Sequence, residues 1–167
     1  MKKIDIHVHA SMWENTPTRN GGTFASPEQI KERYDELGID KGFILPLISP
    51  EFRNFVQTNE EMEYLANKYS DTFYWFCSID PRMGENSPKT DFSQLSEYYK
   101  NRGAIGLGEL TANLYIDDPF LDNLFYHCGE CDMPVTIHIA HKKGESYGIV
   151  DDLGLPRLEK MLKNIPN

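Results

Sequence analysis

Ile4-Asp5-Ile6-His7-Val8-His9 opens the chain, and Pro134-Val135-Thr136-Ile137-His138 answers it far downstream. In an extended strand successive side chains alternate, which places Asp5, His7 and His9 on one side and Ile4, Ile6 and Val8 on the other. Two imidazoles at i, i+2 can reach one metal ion, and imidazole is a common ligand of zinc and other first-row ions. The plain alternative is a pair of hydrogen-bonded histidines at a strand end. His138 closes the second stretch and is the best candidate for a third ligand. Whether the fold brings these two strand ends together decides between the readings.

Working outward, apolar strand-like runs recur at Lys3–Val8, Gly42–Ile48, Phe73–Ile79, Ala104–Leu110 and Val135–Ile139. Helical periodicity fills the gaps near Pro27–Leu37, Asn59–Tyr69, Phe92–Asn101 and Pro119–Cys131, and follows the last run near Pro156–Ile165. The helix starts carry their own chemistry. Ser26-Pro27-Glu28-Gln29 combines an N-cap serine, a proline at the first helical position and a glutamine at the third. Thr58 with Glu61 and Asp91 with Gln94 repeat the capping-box pattern, and Asp118-Pro119 is another cap-plus-proline start. The strands read as mostly continuous apolar runs, the mark of a sheet covered on both faces. Alternation of this kind predicts a parallel α/β sheet with right-handed crossovers.

Two parallel architectures compete. In a doubly wound sheet of order 2-1-3-4-5 the first and fifth strands lie three steps apart, about 14 Å, too far for a shared ion. In an eight-stranded (β/α) barrel both strands aim at the central mouth and their histidines converge. The loop after the first strand begins Ser11-Met12-Trp13-Glu14, not a glycine-rich phosphate cradle. The expected fold is therefore a TIM-type (β/α)8 barrel, of which residues 1–167 supply about five units as a single domain.

Loop lengths locate the working face. Helix-to-strand joins are short, whereas Ala10–Ser26, Asp80–Asp91 and Ala140–Leu155 are long strand-to-helix joins. Long ordered loops in compact domains usually bind or catalyse, and they lie here at the carboxyl ends of the strands. Glu109 closes the fourth apolar run, either as the first polar residue of a loop or as an inward carboxylate. Adjacent fourth and fifth strands would set it beside His138. Gly106 and Gly108 flank it and permit close approach of a neighbouring backbone. His141 stands as another ligand, a substrate contact or an exposed loop histidine, and His127 reads as structural. Trp13 and Tyr147 are candidate apolar contacts, with Arg19, Lys142 and Lys143 as candidate anion contacts.

The net charge of −9 and the lack of a basic cluster argue against a nucleic-acid partner. No apolar run reaches the roughly 18–20 residues of a membrane span, and Asp5, His7 and His9 interrupt any signal-peptide core. A cytoplasmic location is expected. Cys77, Cys128 and Cys131 are an odd set, which argues against a disulfide framework. Cys128 and Cys131 are expected to pack at a helix end as small apolar residues.

Asp5-Ile6-His7-Val8-His9-Ala10, Gly106-Leu107-Gly108-Glu109 and Pro134-Val135-Thr136-Ile137-His138 resemble the metal-dependent amidohydrolase superfamily, in its amidohydrolase-related branch. The resemblance runs through essentially the whole chain. It implies that His7, His9 and His138 are metal ligands, with Glu109 where members carry a carboxylated lysine, a glutamate or no ligand. It also implies one or two divalent ions, zinc first and manganese or iron as alternatives, activating water against an amide, ester or lactone carbon of a small molecule. Non-oxidative decarboxylases in the same branch make decarboxylation the alternative, and a catalytically inactive partial barrel is a third reading. The superfamily's later histidine and aspartate, on strands six and eight, have no counterpart here, so the general base is expected outside these residues. A complete barrel runs to about 250 residues, so this length fits an amino-terminal part of a larger barrel, or one closed by a partner such as a second copy.

Overall fold

A computed structural model describes residues 2–52, 55–144 and 147–164. The chain runs β1 (Lys3–Val8), α1 (Pro27–Leu37), β2 (Ile39–Ile44), a 3-10 turn (Pro50–Phe52), α2 (Asn59–Lys68), β3 (Phe73–Trp75), α3 (Ser93–Asn101) and β4 (Leu107–Leu110). It continues through α4 (Pro119–Glu130), β5 (Val135–Ile137), β6 (Ile139–Ala140), β7 (Ile149–Val150) and α5 (Pro156–Asn164). Ile165, the expected end of the last helix, lies outside the described residues.

Strand order settles the architecture. Strands β1-β2-β3 form one parallel sheet in chain order, and β4 pairs with β5 in parallel. A parallel bridge between Cys77 and Leu107 joins the two, with Cys77 N–H donating to Gly106 O (3.0 Å) and Gly108 N–H to Cys77 O (2.7 Å). The order is therefore 1-2-3-4-5, a curved wall of a (β/α) barrel and not a doubly wound sheet. The strands pair regularly over shorter spans than their apolar runs suggest. The run over 73–79, for example, holds ladder geometry only to Trp75 and then continues as the single bridge at Cys77. The loop after the fifth run is also more ordered than expected: Ile149–Val150 pairs in parallel with Ile139–Ala140.

The core lies between this wall and the helices. Ile44, Met62, Leu65, Phe73, Trp75, Leu107, Leu110, Leu121 and Leu124 are all buried in one cluster. The caps divide by partner. Ser26 and Gln29 make the full reciprocal capping box. Thr58 accepts from Glu61 N–H, but the Glu61 carboxylate turns away to accept from Met12 N–H at 2.9 Å. At α3 the expected Asp91 cap is displaced by one residue: Phe92 is the N-cap, without a side-chain bond. Asp91 instead accepts from the backbone and hydroxyl of Ser93. Asp118 caps α4 as expected, accepting from Phe120 N–H.

One strand departs from simple alternation, and the departure matters for the site. Asp5 pairs with Gly42 and Val8 with Ile44, so β1 carries one extra residue between them. Such a bulge reverses which face the following side chains take. Asp5 consequently faces the helix layer, where Tyr34 Oη of α1 donates to it at 2.9 Å, while its other oxygen accepts from His7 N–H at 3.1 Å. The expectation that Asp5 shares a face with His7 and His9 is corrected here. Val8 turns toward the core, and Ile4 and Ile6 remain exposed.

The loops after β2 and β3 are tied by charge. Arg82 forks onto Glu51 (2.5 and 2.7 Å) and onto Asp80 (2.8 and 2.6 Å), and Asp80 is buried. Burial alone would raise both carboxyls, but the guanidinium overrides it and holds them below their usual range. Because folded Asp80 and Glu51 titrate below their unfolded values, their stabilisation is full above about pH 5 and is lost as pH falls further. Arg82→Ala strands a buried carboxylate and is expected to cost about 3 kcal/mol. Urea unfolding at pH 7 measures it, and the deficit should shrink when the titration is repeated in acid.

Candidate metal centre

Glu109 is the centre of the site. It ends β4 with its side chain only 4% exposed, surrounded by imidazoles. His7 Nε2 lies 3.5 Å from Glu109 Oε1, His9 Nε2 lies 3.3 Å from Oε2, and the two Nε2 atoms are 3.1 Å apart. One ligand atom from each of His7, His9 and Glu109 falls within 4.8 Å of the others. On the far side His138 Nδ1 meets Glu109 Oε1 at 2.7 Å. Residues from β1, β4 and the end of β5 are thus gathered on one carboxylate, at the carboxyl edge of the wall.

Local structure explains each placement. The bulge in β1 turns His7 and His9 toward Glu109. His9 Nδ1 meets the carbonyl of Leu45 at 2.9 Å. A carbonyl only accepts, so Nδ1 carries the proton and Nε2 is left with a lone pair facing the cluster. Close approach of β5 to β4 depends on Gly108, where φ is 141° and an added Cβ would lie 2.4 Å from Thr136 O. The glycine pattern read from the sequence therefore serves to bring His138 beside Glu109.

The electrostatics follow from the same contacts. Burial pushes the Glu109 carboxyl up, but the bond from His138 and the facing imidazoles of His7 and His9 outweigh it and hold the group well below the usual carboxylate range. The bond to Glu109 raises His7 above 6.5, against partial desolvation and with help from the charges of Glu109 and Asp5. Two imidazole nitrogens and an ionised carboxylate converging on one point form a donor set that suits a divalent cation such as zinc.

His138 stands differently from the other two. It reaches the cluster through Glu109 and is not in the trio whose donor atoms mutually converge. His141 is exposed in the following loop. Tyr147 packs on His138 with ring centroids 4.4 Å apart, and Arg19 of the first loop lies 5.4 Å from the Tyr147 ring centroid. Lys143 lies instead over Tyr115, and Trp13 is exposed. Asn113, which holds the loop carrying Tyr147, carried no signal in its sequence neighbourhood. Two recesses of about 330 and 600 Å³ exist elsewhere, and neither is lined by the histidines or Glu109. Cys77, Cys128 and Cys131 are buried and unpaired, and burial pushes the Cys77 and Cys128 thiols up to about 12.

No family model and no curated protein matches this chain. Solved structures do match in fold. An uncharacterised TIM-barrel protein from Bordetella bronchiseptica aligns with a TM-score of 0.59 at 19% identity, over 83% of this chain and 54% of its own. A 5-carboxyvanillate decarboxylase from Novosphingobium aromaticivorans, solved with bound manganese, aligns at 0.55 and 18%, over 96% and 55%. A probable 2-pyrone-4,6-dicarboxylic acid hydrolase from Acinetobacter baumannii aligns at 0.50 and 16%, over 81% and 48%. The fold is that of a TIM-type barrel, present here in part. The chain spans about half the length of the solved structures it matches.

The coupling of His7 to Glu109 has a measurable sign in protein stripped of metal. A raised histidine stabilises fully below its unfolded value, and that contribution is lost as pH rises through the folded one. The lowered Glu109 stays ionised across this window. Between about pH 6 and about pH 8 the melting temperature in chelator should fall, and Glu109→Gln should flatten most of that slope. An equal slope in both proteins, read by thermal denaturation, would refute the coupling.

Proposed function

We propose that this chain carries the metal-binding part of an enzyme that hydrolyses an amide, ester or lactone bond in a small molecule. The observation that carries the reading is the convergence of His7, His9 and Glu109 at the carboxyl edge of a parallel barrel wall. In this reading His7 Nε2, His9 Nε2 and a Glu109 oxygen hold a divalent ion. Zinc suits the nitrogen-rich set best, and manganese or iron fit the carboxylate. When bound, the ion supplies Lewis acidity toward a carbonyl and toward water.

The side chains do the rest. Leu45 O holds His9 in the tautomer that leaves Nε2 unprotonated. His138 Nδ1–H donates to Glu109, which keeps that carboxylate ionised and oriented. His138 serves as the partner that fixes Glu109 through Nδ1, or as a further ligand through Nε2. His141, at the exposed rim, would meet substrate and not the ion. Glu109 is buried and its carboxyl is held well below the usual range, which suits a metal ligand more than a proton-transfer group. The three unpaired cysteines fit a cytoplasmic setting.

Decarboxylation of a small carboxylic acid is the second reading. It is favoured by the manganese-containing decarboxylase neighbour, which covers 96% of this chain against 81% for the hydrolase. One fold supports both chemistries, so the substrate must discriminate. Untagged protein is expected to retain or take up close to one equivalent of zinc, manganese or iron, and His7→Ala to lose most of it. Less than about a tenth of an equivalent, unchanged by that substitution, would remove the metal centre. A panel of lactones, esters and amides should then show metal-dependent hydrolysis. Carbon dioxide release from aromatic or enoic acids without any hydrolysis would decide for the decarboxylase.

A further inference from the structure

The loop after β5 is fastened to the barrel by one buried amide. Asn113, just beyond β4, spends both ends of its side chain there: Nδ2 donates to Gly148 O at 3.0 Å, and Oδ1 accepts from Gly144 N–H at 2.6 Å. Backbone bonds continue the seam, from Gly148 N–H to Thr111 O (2.7 Å) and from Ile149 N–H to His138 O (2.6 Å). His138 N–H in turn donates to Leu110 O at 3.0 Å.

This seam builds a slot around one imidazole. Gly148 has φ 109°, and a Cβ there would lie 2.6 Å from His138 Cδ2, so the ring fills the space a side chain would need. Tyr147 packs its own ring on that of His138. His138 Nδ1 meets Glu109 Oε1 at 2.7 Å. With Gly148 and Tyr147 packed against it, the ring is held where Nδ1 reaches Glu109. Glu109 then keeps Oε1 toward His138 and His7 and Oε2 toward His9.

We propose that Asn113 is a positioning residue of the metal centre: by pinning Gly144 and Gly148 it holds the Tyr147–Gly148 slot closed on His138, and through His138 it sets the orientation of Glu109. The proposal rests on the reading of His7, His9 and Glu109 as metal ligands. Its physical basis is that a partner behind a ligand fixes the ligand's orientation and basicity, and that losing such a partner typically lowers metal affinity roughly 10- to 100-fold. Removing the Asn113 amide also leaves Gly144 N–H and Gly148 O without their bonds, which frees the loop that forms the slot.

Zinc affinity by competition titration, together with the cobalt(II) absorption spectrum, tests this on the full chain. Asn113→Ala and Tyr147→Ala should each weaken zinc binding by roughly 10- to 100-fold and alter the cobalt spectrum. Asn113→Asp, which keeps the acceptor for Gly144 and loses the donor to Gly148, should fall between Asn113→Ala and the unsubstituted chain. Ser26→Ala, at the distant α1 cap, should lower the melting temperature and leave affinity and spectrum alone. Unsubstituted affinity and spectrum in folded Asn113→Ala and Tyr147→Ala would overturn the positioning role while the metal site stands. If Asn113→Ala does not fold, Tyr147→Ala decides. If the unsubstituted chain and His7→Ala fail alike to bind zinc or cobalt, the metal reading falls and this proposal with it.

Discussion

An ionised carboxylate taken out of water must be surrounded by donors, and Glu109 is such a group at the centre of this molecule's site. Burial works against its charge, and three imidazoles restore the balance. Those imidazoles come from distant parts of the chain, His7 from β1, His9 just past its end and His138 just past β5. The barrel wall must therefore close far enough to bring β1 and β5 to one carboxylate on β4. The bulge in β1, the side-chain-free approach at Gly108 and the carbonyl of Leu45 all serve that one requirement.

The same requirement accounts for the polar contacts just behind the site. Tyr34 holds Asp5, and Asp5 holds the backbone of His7. Asn113 holds the loop that walls His138. The first runs by hydrogen bonds from the helix layer to the backbone of His7, and the second fixes a loop that packs on the His138 ring. Hydrolases and decarboxylases share this barrel, so the wall alone does not select a reaction. At the rim Arg19 of the first loop lies over the Tyr147 ring, and His141 is exposed in the loop after β5.

Much of this was legible in the linear chain. Strand–helix alternation, the strand-end histidines and Glu109, and the glycines beside it could all be read by eye. The architecture followed from one geometric condition, that His7, His9 and His138 share a mouth. The misreadings are local and have local causes. Thr58 caps its helix, but Glu61 found a better partner in Met12 N–H across the loop, so the reciprocal half of the box is missing. Asp91 spent its carboxylate on Ser93, one residue inside the expected helix start. Asp5 crossed to the other face because a single extra residue in β1 reverses the parity on which alternation depends.

Sequence alone determined the class of fold and singled out the strand-end histidines and Glu109 as candidates. These depend on periodicity and composition, which are properties of neighbours along the chain. Tertiary structure decided that His7, His9 and Glu109 form the converging trio, that His138 reaches it through the carboxylate, and that Asn113 stands behind the arrangement. Those outcomes turn on distances of about 3 Å between residues remote in sequence, set by a bulge, a register and a loop seam. A hydrogen bond depends on angle and separation, and neither is written in the order of the residues.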